Sequence, residues 1–128
     1  MDIDKKTMVE VVEAHNNVRK QEGKQPLTID VRLMHAAQGH AEWMRANNRM
    51  SHKQGWFWGS TPADRVSKQS YAYRSFGENI AFGQTEVDEV LSVWLNSRAH
   101  RANILGEFND IGVGRSGNYW CVVFGNQL

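Results

Sequence analysis

Hydrophobic positions along the chain fall into seven segments. In the first, Met8, Val11, Val12, His15 and Val18 recur at the spacing of one helix face. Asp4 is placed to cap its start and Gly23 to end it. The stretch Gly23 to Leu27 reads as a turn. A second helix is predicted from about Asp30, its N-cap, with Leu33, Met34, Ala37, Ala41 and Met44 as the buried stripe. The alanines at 36, 37 and 41 point to close packing against another element. Asn47 and Asn48 end it.

Residues 49–60 read as a loop bracketed by Gly55 and Gly59. A short helix follows, with Pro62 at its first position and Thr61 paired with Asp64 as a capping box. Residues 73–83 alternate as a strand. Phe76, Glu78, Ile80 and Phe82 share one face, and Gly77, Asn79, Ala81 and Gly83 the other. Thr85 with Asp88 is the expected cap of a third long helix, whose stripe is Val87, Val90, Leu91 and Trp94. Residues 97–105 read as a tight, irregular or short helical turn. The end of the chain reads as a hairpin, 110–115 and 119–124, around Ser116-Gly117-Asn118. The second hairpin strand is apolar on both faces, so both must be covered. This order predicts an α+β fold with helices on both faces of a small, mainly antiparallel sheet.

Composition narrows the picture. The chain has 128 residues, which supports one domain spanning 1–128. Fifteen Lys and Arg against fourteen Asp and Glu leave a net charge of +1. That argues against nucleic acid as a partner, because neutralising phosphates needs a basic face. No apolar run reaches the roughly 18 residues of a transmembrane segment. The first twenty residues hold no secretory apolar core, so either the protein stays inside the cell or a leader precedes this numbering. One Cys excludes an intramolecular disulfide framework.

Some residues invite chemistry. Glu78 shares its face with Phe76, Ile80 and Phe82, and a buried carboxylate must be paired. It is either a satisfied core group or part of a site. His15 lies on an apolar helix stripe and reads as a core histidine. His35 and His40 are five apart on one helix and diverge, whereas a helical zinc pair needs a spacing of four. Both read as structural or surface residues. His52 and His100 lie beyond element ends, in a loop or turn, where binding groups usually sit, but taken singly each reads more readily as a bland residue than as a functional one. Ser97 and His100 allow a Ser-His reading with Glu78 as the orienting acid, but there is no Gly-x-Ser-x-Gly elbow, and Ser97 reads better as a cap. Cys121, mid-strand on an apolar face, reads as an inert buried thiol. Trp56, Phe57 and Trp58 form either a loop folded onto the core or a stacking surface for an apolar or sugar ligand.

Taken in order, these motifs resemble a known family. They are His15-Asn16-x-x-Arg19, Leu33-x-x-Ala36-Ala37-Gln38-x-His40-Ala41, Met50-Ser51-His52, Gly77-Glu78-Asn79-Ile80-Ala81, Val90 with Trp94, Ser97-x-x-His100-Arg101-x-Asn103-Ile104-Leu105, Ile111-Gly112-Val113-Gly114 and Tyr119 to Gly125. Over about residues 9–125 the chain resembles the CAP superfamily of cysteine-rich secretory proteins, antigen 5 and pathogenesis-related 1 proteins. It is most similar to the short, disulfide-free bacterial members.

The resemblance implies a three-layer α-β-α sandwich with a cleft lined by two histidines and two acids. His52, Glu78 and His100 match three of those places, and Ser97 stands where the second acid is expected. It implies a weak, open site for a divalent cation, zinc being the usual one, on His52 and His100. Glu78 and Ser97 would then line the cleft behind the two histidines. It implies a non-catalytic, exported binding module, extracellular or periplasmic. Its partner would be a small ligand, a lipid or a cell-surface polymer, with Trp56, Phe57 and Trp58 as a possible ligand surface. The alternatives are a hydrolase of peptides or cell-wall polymers using Glu78, Ser97 or His100, and a lipid or sterol carrier. The family shares no established catalytic activity.

Overall fold

A computed structural model describes residues 3–55 and 59–128 of the chain. Trp56, Phe57 and Trp58 lie outside the described residues. The elements are α1 (Lys5–Gln21), β1 (Thr28–Ile29), α2 (Val31–Ala46), α3 (Pro62–Lys68), β2 (Tyr73–Phe82), α4 (Val87–Leu95), α5 (Arg98–Ile104), β3 (Asp110–Ser116) and β4 (Tyr119–Gln127).

The helix starts follow from short polar side chains. Asp4 accepts the Thr7 N–H at 2.8 Å, and Asp30 accepts the Arg32 N–H at 2.9 Å. Thr61 and Asp64 exchange backbone bonds of 3.0 and 3.2 Å, a complete capping box with Pro62 at the first helical position. The expected Thr85–Asp88 cap is displaced by one residue. Glu86 is the N-cap of α4, and the Glu89 carboxylate receives both the Glu86 N–H and the Thr85 hydroxyl. A carboxylate on a two-carbon stem reaches both donors from the third helical position, which leaves Asp88 outside the box.

The strand order is β1-β3-β4-β2. β4 pairs antiparallel with β2 and β3, so the two-sided strand is central, as its pattern requires. β1 was not expected. Two residues, Thr28 and Ile29, add parallel to Asp110 and Ile111 and make the sheet mixed. So short a strand carries no periodicity to read.

Alternation along β4 divides the core. Trp120, Val122 and Phe124 pack with α1, α4 and α5 through Val11, Val12, Leu91, Trp94 and Ile104. Tyr119, Cys121 and Val123 pack with α2 and α3 through Leu33, Ala37, Ala41, Met44 and Val66. The result is a three-layer α-β-α sandwich. The α2 layer sits unusually close. A Cβ on Gly112 would lie 2.1 Å from the Leu33 carbonyl carbon, and one on Gly114 would lie 2.5 Å from that of Ala37. Glycines on β3 therefore meet the small residues of α2 backbone to backbone.

Two polar groups of α1 are interior. Arg19 is 2% exposed and donates to the carbonyls of Gln25, Ile104, Gly106 and Phe108. It fastens the loop after α5 onto α1. His15 is 1% exposed beside Trp94 and Phe124. Its Nδ1 bonds to the Val11 carbonyl at 2.8 Å, and its Nε2 has no partner among the described residues. Burial pushes its pKa from 6.5 down to about 4, so it is neutral in the fold.

Two stability measurements follow. Gly114→Ala drives a methyl into the α2 backbone and is expected to cost about 3 kcal/mol in urea unfolding. A cost below about 1 kcal/mol would mean that α2 can lift away from the sheet. For His15, the unfolded chain takes up a proton near pH 6.5 that the folded chain refuses until about pH 4. Its share of stability is therefore complete above about pH 6.5 and is lost as pH falls toward about 4. Between about pH 7 and 5, His15→Gln should lose about 2 kcal/mol less than the parent does. Equal losses in the two proteins would contradict a neutral buried His15.

Candidate functional site

The site is organised by two successive residues of β2. This is an edge strand, so one side chain can turn toward each helix layer at the open rim of the sheet. Glu78 turns toward α2 and α3. Asn79 turns toward α4 and α5.

The Glu78 side chain is 3% exposed. Arg65, from α3, meets it in the same interior and donates through Nη2 to both carboxylate oxygens, at 3.0 and 2.8 Å. His52 Nδ1 lies 2.9 Å from Oε1, and the Cys121 thiol lies 3.6 Å from Oε2. Burial alone would raise the Glu78 pKa. The His52 hydrogen bond and the Arg65 charge together overcome it and hold the carboxyl below its ordinary range. Glu78 is thus an anion and can only accept. His52 must present Nδ1–H to it, which leaves the lone pair on Nε2. The His52 side chain is 51% exposed. Among the described residues no partner meets its Nε2.

The opposite wall is α5. Asn79 donates to the His100 carbonyl at 3.0 Å, and Asn103 donates to Asn79 at 2.8 Å and to the Glu78 carbonyl at 3.3 Å. These bonds fix the first turns of α5 to the strand. Ser97 is the N-cap residue of α5, as its position suggests, yet its hydroxyl makes no bond to the helix backbone. It bonds instead to His100 Nδ1 at 2.8 Å. A hydroxyl can donate or accept, and either way Nδ1 is occupied and Nε2 is the remaining nitrogen. The His100 pKa is lowered, first by burial and then by the charge of His52.

His52 bonds to Glu78 and His100 to Ser97, so the four residues form two bonded pairs and not one set. Glu78 orients His52 and not His100, so a Ser97–His100–Glu78 relay is not formed. Among the described residues, no three His, Cys, Asp or Glu side chains converge to hold a metal ion. The Glu78 oxygens are taken up by Arg65 and His52. A cation would have only the two imidazole Nε2 atoms, a donor set that fits a weak, solvent-completed site and no structural one.

Two contributors escaped the sequence reading as members of the site. Arg65 lies 13 residues from both His52 and Glu78, and no motif flags it. His40 is fully buried, as a structural histidine should be. Its Nε2 meets the Ser51 carbonyl at 2.6 Å and its Nδ1 the Gln54 amide at 3.0 Å, an assignment that puts the ring hydrogen on Nε2. Burial drives its pKa to about 4, so its 4.0 Å approach to Glu78 is no ion pair. Cys121 is buried and its pKa raised by burial and by Glu78, which makes it the inert thiol expected.

Known proteins share this architecture. An extracellular protein with an SCP domain from Bacillus anthracis superposes with a TM-score of 0.91 at 30% identity, over 98% of this chain and 42% of that one. An outer surface protein of Borrelia burgdorferi gives 0.88 at 26% identity, over 100% of this chain and 98% of its own. An uncharacterized protein of Bacillus subtilis, YkwD, is 38% identical over 117 residues, 89% of this chain and 45% of its length. The chain spans less than half of that curated relative. The family model for the cysteine-rich secretory protein family, CAP, matches residues 12–124, and the chain belongs to that family.

Proposed function

We propose that this chain is a non-catalytic binding module whose cleft takes its ligand between the Nε2 atoms of His52 and His100, a divalent cation such as zinc being the simplest occupant. One observation carries the reading. Both rings have Nδ1 engaged, by Glu78 Oε1 at 2.9 Å and by Ser97 Oγ at 2.8 Å, so each offers the same nitrogen to the cleft. Outer partners of this kind orient imidazoles toward a metal and raise their basicity. The cation would complete its shell with water and serve as a Lewis-acidic anchor for a ligand oxygen. Export is part of the proposal. The Bacillus anthracis relative is described as extracellular and the Borrelia burgdorferi one as an outer surface protein. Among the described residues no helix is long and apolar enough to cross a membrane.

The Ser97–His100 contact supports a second reading, a serine-dependent hydrolase. His100 could take the hydroxyl proton as Oγ attacks a carbonyl. It lacks the orienting carboxylate that such pairs usually have, which makes this the weaker reading. Carriage of a lipid or sterol rests on Trp56, Phe57 and Trp58 alone.

Zinc titration by calorimetry is expected to reveal a weak site that disappears in the double variant His52→Ala, His100→Ala. Unchanged affinity in that variant would end the two-histidine reading. Ser97→Ala is expected to weaken zinc about tenfold by freeing the His100 ring. A fluorophosphonate probe should leave the parent protein unlabelled. Labelling of the parent that Ser97→Ala abolishes would favour the hydrolase instead.

A further inference from the structure

The loop that carries His52 is closed at its neck by bonds that ligand binding does not by itself require. The Gln54 N–H donates to the Ser60 carbonyl at 2.9 Å, and the Ser60 hydroxyl returns to the Gln54 side-chain oxygen at 2.9 Å. The Gln54 amide reaches His40 Nδ1 at 3.0 Å, and His40 Nε2 holds the Ser51 carbonyl at 2.6 Å. Arg65 spans the neck. Its Nη1 donates to the Ser60 carbonyl at 3.2 Å, and its Nη2 to the His52 carbonyl at 2.8 Å. The same Nη2 also contacts both oxygens of Glu78.

Arg65 thus holds His52 twice. It grips the backbone that carries the ring, and it grips the carboxylate that the ring addresses. A guanidinium is planar and permanently charged, and here Nη1 holds the Ser60 carbonyl while Nη2 holds the His52 carbonyl and the carboxylate, which fixes where Glu78 lies relative to His52. Neutral imidazole in water prefers its hydrogen on Nε2, whereas an acceptor-only carboxylate at Nδ1 demands the other tautomer. The tautomer needed to expose an Nε2 lone pair is the less favoured one and must be enforced by geometry.

We infer that Arg65 is a positioning residue for the cleft: by gripping the His52 carbonyl and the Glu78 carboxylate together, it selects the Nδ1–H tautomer and turns a bare Nε2 toward the ligand. This deepens the binding reading given above and rests on it for its purpose, but not for its test. His40 acts beside Arg65 by anchoring Ser51 and, through Gln54, the neck. The nearest of its nitrogens is 4.0 Å from Glu78 and is already committed to Ser51.

The test uses the metal-free protein with 15N-labelled histidine, observed at about pH 8, above the ordinary imidazole titration. Ring-nitrogen shifts report which atom carries hydrogen. His52 in the parent is expected to show Nδ1–H and an unprotonated Nε2. Arg65→Met and Arg65→Lys should both give a tautomer mixture weighted toward Nε2–H. Lysine keeps the charge, but it lacks the second terminal nitrogen with which Arg65 also holds the Ser60 carbonyl, so its one ammonium is not fixed between the neck and the carboxylate. Amide dispersion reports whether each variant is folded. Parent protein with hydrogen on Nε2 overturns the inference outright. So does a folded variant that keeps the parental ring pattern. Because no metal is present, failure of the parent to bind zinc would count against the binding reading and leave the tautomer result intact.

Discussion

The charge of Glu78 has no water to answer to. Nearly all of its side chain is interior, so an ionised carboxyl there must be answered by protein donors. Arg65 supplies the charge, His52 a directional hydrogen bond and Cys121 a weaker one. Removing either member of the Arg65–Glu78 pair alone would strand a buried charge, which costs roughly 3–5 kcal/mol. Much else is arranged to keep this group supplied. α3 is capped at Thr61 so that Arg65 falls one turn into the helix. In the loop after α2, Gln54 and Ser60 bond to each other beside Arg65. β2 stands at the rim, where one such residue can be interior while the ring it holds reaches solvent.

The strand does more than carry the carboxylate. Glu78 and Asn79 are neighbours in sequence but face different layers, and each holds one of the two histidine-bearing segments. Glu78 fixes His52 through the α2 and α3 layer, and Asn79 fixes the α5 backbone at His100. The pleat of one strand thus sets the spacing of two histidines that are 48 residues apart in sequence.

Most of the fold was legible because its signals are local. Caps at Asp4, Asp30 and Thr61, helix stripes, and the double apolar pattern of 119–124 each announce themselves within a few residues. The three-layer arrangement then follows from a strand that needs cover on both faces. β1 was illegible because two residues have no period, and the cap of α4 was misplaced because Thr85 and Glu86 offer competing starts. At the cleft, Glu78 drew attention as a carboxylate among hydrophobes, and the family resemblance supplied His52 and His100. Arg65 and His40 gave no such sign. Their roles arise from contacts between elements, and an arginine in a short amphipathic helix or a histidine in a packed one looks the same whether it faces water or a carboxylate.

The pinched neck of the 52–60 loop has a consequence for how such a protein can change over time. Both ends of the segment are tied to α2, α3 and β2 through Ser51, His52, Gln54 and Ser60. These ties use no side chain of the segment between Gln54 and Ser60. Lengthening it costs only a slowly growing loop-closure entropy, about 0.6 kcal/mol for each doubling. Replacing its side chains leaves the ring's anchors in place. A lineage could therefore trade one set of residues there for another, and so revise what the rim of the cleft greets, while the groove beneath is inherited unchanged. Gly55 and Gly59 would stay with the anchored neck, because Gly55 has φ +82° and a Cβ on Gly59 would fall on the Gln54 carbonyl oxygen, and Trp56-Phe57-Trp58 would be one version of the exchangeable sequence between them.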